Sequence, residues 1–133
     1  MKKQLITISL IAILCSCHST SKMICYTWRV KNIDFAFVGK SIDSTSKSNM
    51  IKLLKDSMVV TFYSNHTNLV VGVPEEVEVG TWKTTSNPKI LLLKNSHTTS
   101  KMTISSLTDT SLVAEIAGMD STTFFCEMYK AKK

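Results

Sequence analysis

Four cysteines, three histidines and one knot of acids are the side chains of this 133-residue chain with the most chemistry to offer. Cys15 and Cys17 flank one serine behind an apolar stretch, while Cys25 and Cys126 stand alone near the two ends of the remaining chain. A thiol can be acylated, oxidised or handed to a metal. The metal reading fails on spacing. His18, His66 and His97 match no zinc pattern, and Cys25 and Cys126 are too distant in sequence to signal one. Glu75, Glu76 and Glu78 form an acidic cluster, but calcium wants about six to eight oxygens, and no repeated Asp/Asn/Gly spacing supplies them. A solvated loop is the plainer reading. Gly-x-Ser-x-Gly, a glycine-rich phosphate loop and His-Glu-x-x-His are all absent from the sequence. The expectation is a non-enzyme without metal or cofactor.

The most specific signal lies in the first sixteen residues. Lys2 and Lys3 form a positive start, and Leu5 to Leu14 is an apolar core interrupted only by Thr7 and Ser9. That core suits a signal peptide and is too short for a ~20-residue membrane helix. Leu14-Cys15-Ser16-Cys17 follows and resembles the bacterial lipobox, a branched apolar residue, a variable one and a small one before a cysteine. Cys15 fits less well, because Leu14 would then stand where a small side chain is needed. The resemblance implies cleavage before Cys17 and acylation of Cys17 with a diacylglyceryl group and a further acyl chain such as palmitate. Two or three chains at ~0.8 kcal/mol per buried methylene anchor a protein stably to a membrane. The chain then divides into a signal peptide over 1–16, an acylated tether over 17–22 and a domain over 23–133.

Removing Lys2 and Lys3 with the leader lowers the excess of cations from six to four. The remaining cations are scattered, so nucleic acid is not expected as a partner. Outside the cytoplasm the leftover pair Cys25 and Cys126 invites a disulfide. Against it, Cys25 alternates with Ile24, Tyr26, Trp28 and Val30, whereas Cys126 shares a face with Phe124 and Met128. Directly paired strands need both cysteines on one face unless a bulge intervenes. Both outcomes stay open at this point.

Beyond the tether the chain reads as short β-type runs separated by polar turns. The runs are Ile24 to Ile33, Met58 to Ser64, Asn68 to Val73, Val77 to Thr84, Lys89 to Lys94, Lys101 to Leu107, Ser111 to Ala117 and Thr122 to Lys130. Pro74-Glu75-Glu76 punctuates the third and fourth. Only Ser44 to Ser57 breaks the pattern. Met50, Ile51, Leu53 and Leu54 fall there at helical spacing, and Ser44 or Thr45 is positioned to cap a helix of about ten to twelve residues. Eight strands in sequential order, short turns and one apolar face predict an all-β fold. The form expected is an up-and-down antiparallel barrel or half-barrel with one short helix between strands 1 and 2. A sandwich would need longer crossovers.

Tyr26-Thr27-Trp28-Arg29-Val30, then the helix, Phe62-Tyr63-Ser64-Asn65-His66-Thr67, Gly80-Thr81-Trp82-Lys83, Ile104 to Thr108 and a final Phe-bearing strand follow in order. Together with the lipobox this order resembles the small lipocalin-like lipoproteins of Bacteroidetes, over about Cys25 to Tyr129. Two features of that pattern are replaced here: Tyr26 stands where a glycine is expected, and no arginine in the last strand covers Trp28. The resemblance implies an eight-stranded calyx holding a small hydrophobic or amphipathic ligand in the cell envelope. Trp28, Phe62, Trp82 and Phe124 are the candidates to line it; the alternative is that they pack the barrel solid. Gly80 reads as a bend or bulge. A different reading is a protein-interaction or inhibitor lipoprotein that grips its partner with the sheet surface or with loops such as Asn95 to Ser100. His18, directly after Cys17, is not the acidic residue that retains lipoproteins at the inner membrane, and no acidic export stretch follows. The expected location is the periplasmic leaflet of the outer membrane.

Overall fold

The computed structural model describes residues 20–37, 39, 41–72, 77–118 and 122–132. The signal peptide, Cys17 and the punctuation at Pro74-Glu75-Glu76 lie outside the described residues. Eight strands form one closed antiparallel barrel, each hydrogen-bonded to its sequence neighbour and the last to the first. They are β1 (Thr27–Phe37), β2 (Val59–Phe62), β3 (Thr67–Val71), β4 (Val77–Thr84), β5 (Ile90–Lys94), β6 (Thr99–Leu107), β7 (Ser111–Ala117) and β8 (Thr122–Lys130). The expected all-β, up-and-down order is therefore the observed one, and its form is consistent with a lipocalin-like barrel. Closure leaves no strand edge unpaired.

β1 does most to close the ring. Alternation begins with Trp28 and Val30 buried, then a register shift between Val30 and Asn32 moves the inward positions to Ile33 and Phe35. The extra residue bends the strand as barrels require. A second shift, between Ile104 and Ser106, does the same in β6. β1 starts later than the sequence pattern indicates, since residues 20–24 are helical. Ile24 nevertheless remains fully buried, because that helical turn folds over the barrel's end.

One helix, α1 (Ser44–Ser57), links β1 to β2. Asp43, rather than Ser44 or Thr45, caps it: its carboxylate accepts from the Ser46 amide at 2.9 Å and the Ser46 hydroxyl at 2.6 Å. Those bonds hold the Asp43 carboxyl below its ordinary range. The stripe Ile51, Leu54 and Met58 packs on the core, while Met50 and Leu53 are exposed. Lys47 continues the stripe at i−4, reaching Asp34 at 2.8 Å and lying 5.5 Å from the centre of the Phe35 ring. Among the described residues no helix is long and apolar enough to cross a membrane.

Strand direction gives the barrel two unlike ends. At one end gather the 20–26 segment, the β2–β3, β4–β5 and β6–β7 turns and the end of β8; α1 and the β5–β6 turn lie at the other. Ile24, Trp28, Trp82, Leu91, Ile104 and Leu112 fill the first end, which is closed. Both indoles are satisfied there. The Trp28 N–H donates to the Ile24 carbonyl at 3.0 Å, and the Trp82 N–H donates to the Tyr63 carbonyl at 3.0 Å. His66, in the left-handed region at φ 66°, turns the β2–β3 hairpin and lays its ring 4.7 Å from that of Trp82. Tyr26 meets Trp28 edge-on, and Lys130 stands over the Tyr26 ring, 3.2 Å from its centre.

Candidate functional site

The packing that seals the closed end does not reach the other. There the inward faces of β2 to β8 surround a cavity of about 150 Å³ that opens beside α1. Its wall is apolar, with Val60, Phe62, Val70, Met102, Phe124 and Met128 among the lining residues. A β-barrel of eight strands has an interior that side chains can just fill or that leaves room for one small ligand. The second situation holds here: both tryptophans lie at the closed end, and Gly80 brings no side chain to the cavity wall.

One polar side chain lies inside. Asn68 is 6% exposed, and its Oδ1 has no hydrogen-bond partner among the described residues. An unsatisfied buried acceptor costs about 1–3 kcal/mol, so it calls for a partner. Its position follows from register: Asn68 stands opposite Phe62 on β2 and Gly80 on β4. A β-carbon on Gly80 would lie 2.7 Å from Oδ1 and 2.5 Å from the Lys94 carbonyl oxygen. Gly80 therefore makes room rather than a bulge, since the β3–β4 register runs through it without a shift. Of the expected bend or bulge, the bulge is thereby corrected.

The mouth is polar and braced. Glu78 accepts from the Asn95 side-chain amide at 3.0 Å. The Asn95 Oδ1 in turn accepts from the backbone amides of His97 at 2.9 Å and Thr98 at 2.7 Å, fixing the β5–β6 turn. Lys94, Thr98 and Ser100 complete this rim. The loop singled out as a protein grip thus borders the cavity. Glu75 and Glu76 lie outside the described residues, so the acidic cluster contributes Glu78 alone. Among the described residues no three metal-ligating side chains come together.

Of the four aromatic candidates, Phe62 and Phe124 line the cavity and Trp28 and Trp82 do not. Trp82 instead packs behind the wall, meeting Phe62 edge-on at 6.0 Å. Sequence reasoning missed Asn68, which reads there as a residue near a turn. Alternation alone does not mark it: Asn68 shares a face with Val70, while Leu69 and Val71 make the other face just as apolar.

Cys25 and Cys126 are both free thiols. Cys126 pairs with Ile33, six residues along β1 from its start at Thr27. At ~3.3 Å per residue that is about 20 Å, far beyond the reach of a disulfide. Of the two outcomes left open, the unbridged pair is the one this fold shows, and the reason is position along the strand more than face. Cys126 faces the core, as its neighbours in sequence indicated, and burial pushes its thiol up to about 11. Burial also raises that of Cys25, whose Sγ donates to the Ser21 carbonyl at 3.0 Å.

Compared with protein-family models, curated proteins and solved structures, the chain matches none of them.

Proposed function

We propose that this protein is a membrane-anchored lipoprotein of the bacterial cell envelope, held through an acylated Cys17, whose barrel binds a small hydrophobic or amphipathic molecule without converting it. The observation that carries the ligand half is the apolar cavity of about 150 Å³, left open at one end of an otherwise packed barrel. Burying ligand surface there is worth ~25 cal/mol per Å², and the few polar groups fix orientation.

The anchor half rests on the lipobox resemblance and agrees with the position of the tether. Cys17 precedes the first described residue, Thr20, by three positions, a reach of about 11 Å at most. Thr20 and Ser21 lie beside Thr84, Thr85 and Pro88 at the closed end. An anchor at Cys17 would hold that end toward the bilayer and leave the mouth facing the aqueous side. The resemblance to Bacteroidetes lipoproteins favours the periplasmic leaflet of the outer membrane.

Two measurements test the two halves. Metabolic labelling with palmitate should mark the wild-type product and not Cys17→Ser; an unlabelled wild type removes the anchor. Native mass spectrometry of protein taken from its own envelope should show an added small-molecule mass, and protein that is bare under every gentle extraction removes the ligand.

A second reading, a protein-binding lipoprotein, draws on an apolar strip outside the barrel. Val77 and Val79 are 60% and 67% exposed, and they pair with Val71 and Leu69 across β3–β4. Crosslinking that returns one stoichiometric protein partner, lost in Val79→Lys, would favour it.

A further inference from the structure

The cavity has an apolar wall and one internal acceptor that nothing in the described protein satisfies. We propose that it takes a neutral molecule about the size of a substituted benzene that carries a single hydrogen-bond donor, a hydroxyl or N–H, and that this donor meets Oδ1 of Asn68. The inference rests on the reading of the cavity as a ligand site and names the class of ligand.

Size comes first. The volume of about 150 Å³ equals that of an engineered apolar cavity that admits benzene. A long-chain lipid does not fit such a space. Polarity comes second. Asn68 and Gly80 both line the cavity, and Oδ1, closed off where it lies against Gly80, meets the donor once the Asn68 amide turns toward that space. A carbonyl oxygen only accepts, so the matching group on the ligand is a donor.

Charge decides the rest. Glu78 and Lys94 stand at the rim with opposite signs, and Glu78 is already engaged by Asn95. The other lining residues Val60, Phe62, Val70, Met102 and Met128 carry no charge. An ammonium drawn in to Asn68 would lose its hydration without a counter-ion, which disfavours it strongly. A lone water is the competing occupant. A buried water typically makes about three hydrogen bonds, and one that faced Asn68 against methionine and phenylalanine would make fewer. A molecule with an apolar body and one donor satisfies the oxygen and fills the rest.

The test uses the full chain, kept soluble by an amphipol, with phenol and toluene as probes of nearly equal shape. Calorimetry gives the phenol-to-toluene affinity ratio for wild type and for Asn68→Leu. Taking this ratio for both proteins cancels partition of each probe into the amphipol. The expected result is a ratio that drops roughly fivefold or more in the variant, the size of one net hydrogen bond. An unchanged ratio overturns the role of Asn68 while leaving the cavity a ligand site. If neither probe binds wild type, the ligand reading falls and this inference with it. Should Asn68→Leu not fold, the wild-type side-chain amide resonances of Asn68 decide. They should shift with phenol well beyond any shift with toluene, and equal shifts overturn the proposal.

Discussion

Glu78 and Asn95 meet at 3.0 Å across the cavity mouth, tying β4 to the turn that joins β5 and β6. The amide of Asn95 serves both directions. Its Nδ2 donates to Glu78, while its Oδ1 holds the amides of His97 and Thr98. Asn95→Ala removes all of these at once. We expect it to destabilise the protein by about 1–2 kcal/mol, in line with one or two net hydrogen bonds. Hydrogen exchange should quicken at His97 and Thr98 and stay unchanged at Leu91. Unaltered exchange at the turn would mean the brace is not made in solution.

Gly80→Ala tests close approach in the opposite wall. The added methyl would meet the Lys94 carbonyl oxygen at 2.5 Å and Asn68 Oδ1 at 2.7 Å, and the first of these is backbone. Overpacking of this kind costs about 1–3 kcal/mol. Chemical denaturation should show that loss, whereas Gly72→Ala, with nothing within 4 Å of the new atom, should be far milder.

The two tryptophans each direct an indole N–H at a carbonyl, and both rings are almost wholly buried. Trp28→Phe leaves the Ile24 carbonyl without that donor, and Trp82→Phe does so at Tyr63. Each should lower stability by about 1–3 kcal/mol. Because neither ring lines the cavity, the affinity for toluene should change less than with Phe62→Ala or Phe124→Ala. A tryptophan variant that folds well and loses binding would put the ligand nearer the closed end.

Cys126 makes stability fall at alkaline pH. Its thiol is neutral in the fold up to about 11, against an ordinary value of 9.0. The folded state then holds the proton more tightly than the unfolded chain does. The contribution is complete below pH 9 and is lost as pH rises through 11, amounting to roughly 2–3 kcal/mol. Denaturation curves at pH 8 and pH 10.5 should show a smaller decline for Cys126→Ala than for wild type. The same burial predicts that a thiol reagent modifies Cys25 first and Cys126 only on unfolding.

Much of the fold was legible because its period is. β4, β7 and β8 begin and end where alternation of residue type placed them, and α1 fills the whole Ser44–Ser57 break with 14 residues, longer than the ten to twelve expected. β1 was harder. Its bulge after Val30 inverts the inward parity, and local sequence carries no mark of that shift. The helix cap went to Asp43 because a carboxylate reaches the amide and the hydroxyl of Ser46 together. The cavity was only half legible. Phe62 and Phe124 could be named from type and strand parity, but register decides that Asn68 lies over Gly80. It also sets Cys126 beside Ile33 and far from Cys25. Pairing across strands is a long-range property, and no window of sequence contains it.

Everything functional here depends on the barrel's interior being open to a guest. Three methionines, Met58, Met102 and Met128, line the cavity, while Met50 is exposed on α1. Titrating toluene into protein with ¹³C-labelled methionine methyls reads that space directly. We expect saturable shifts at Met58, Met102 and Met128 with Met50 still, and resonances that stay fixed up to the solubility of toluene would contradict a ligand-binding barrel.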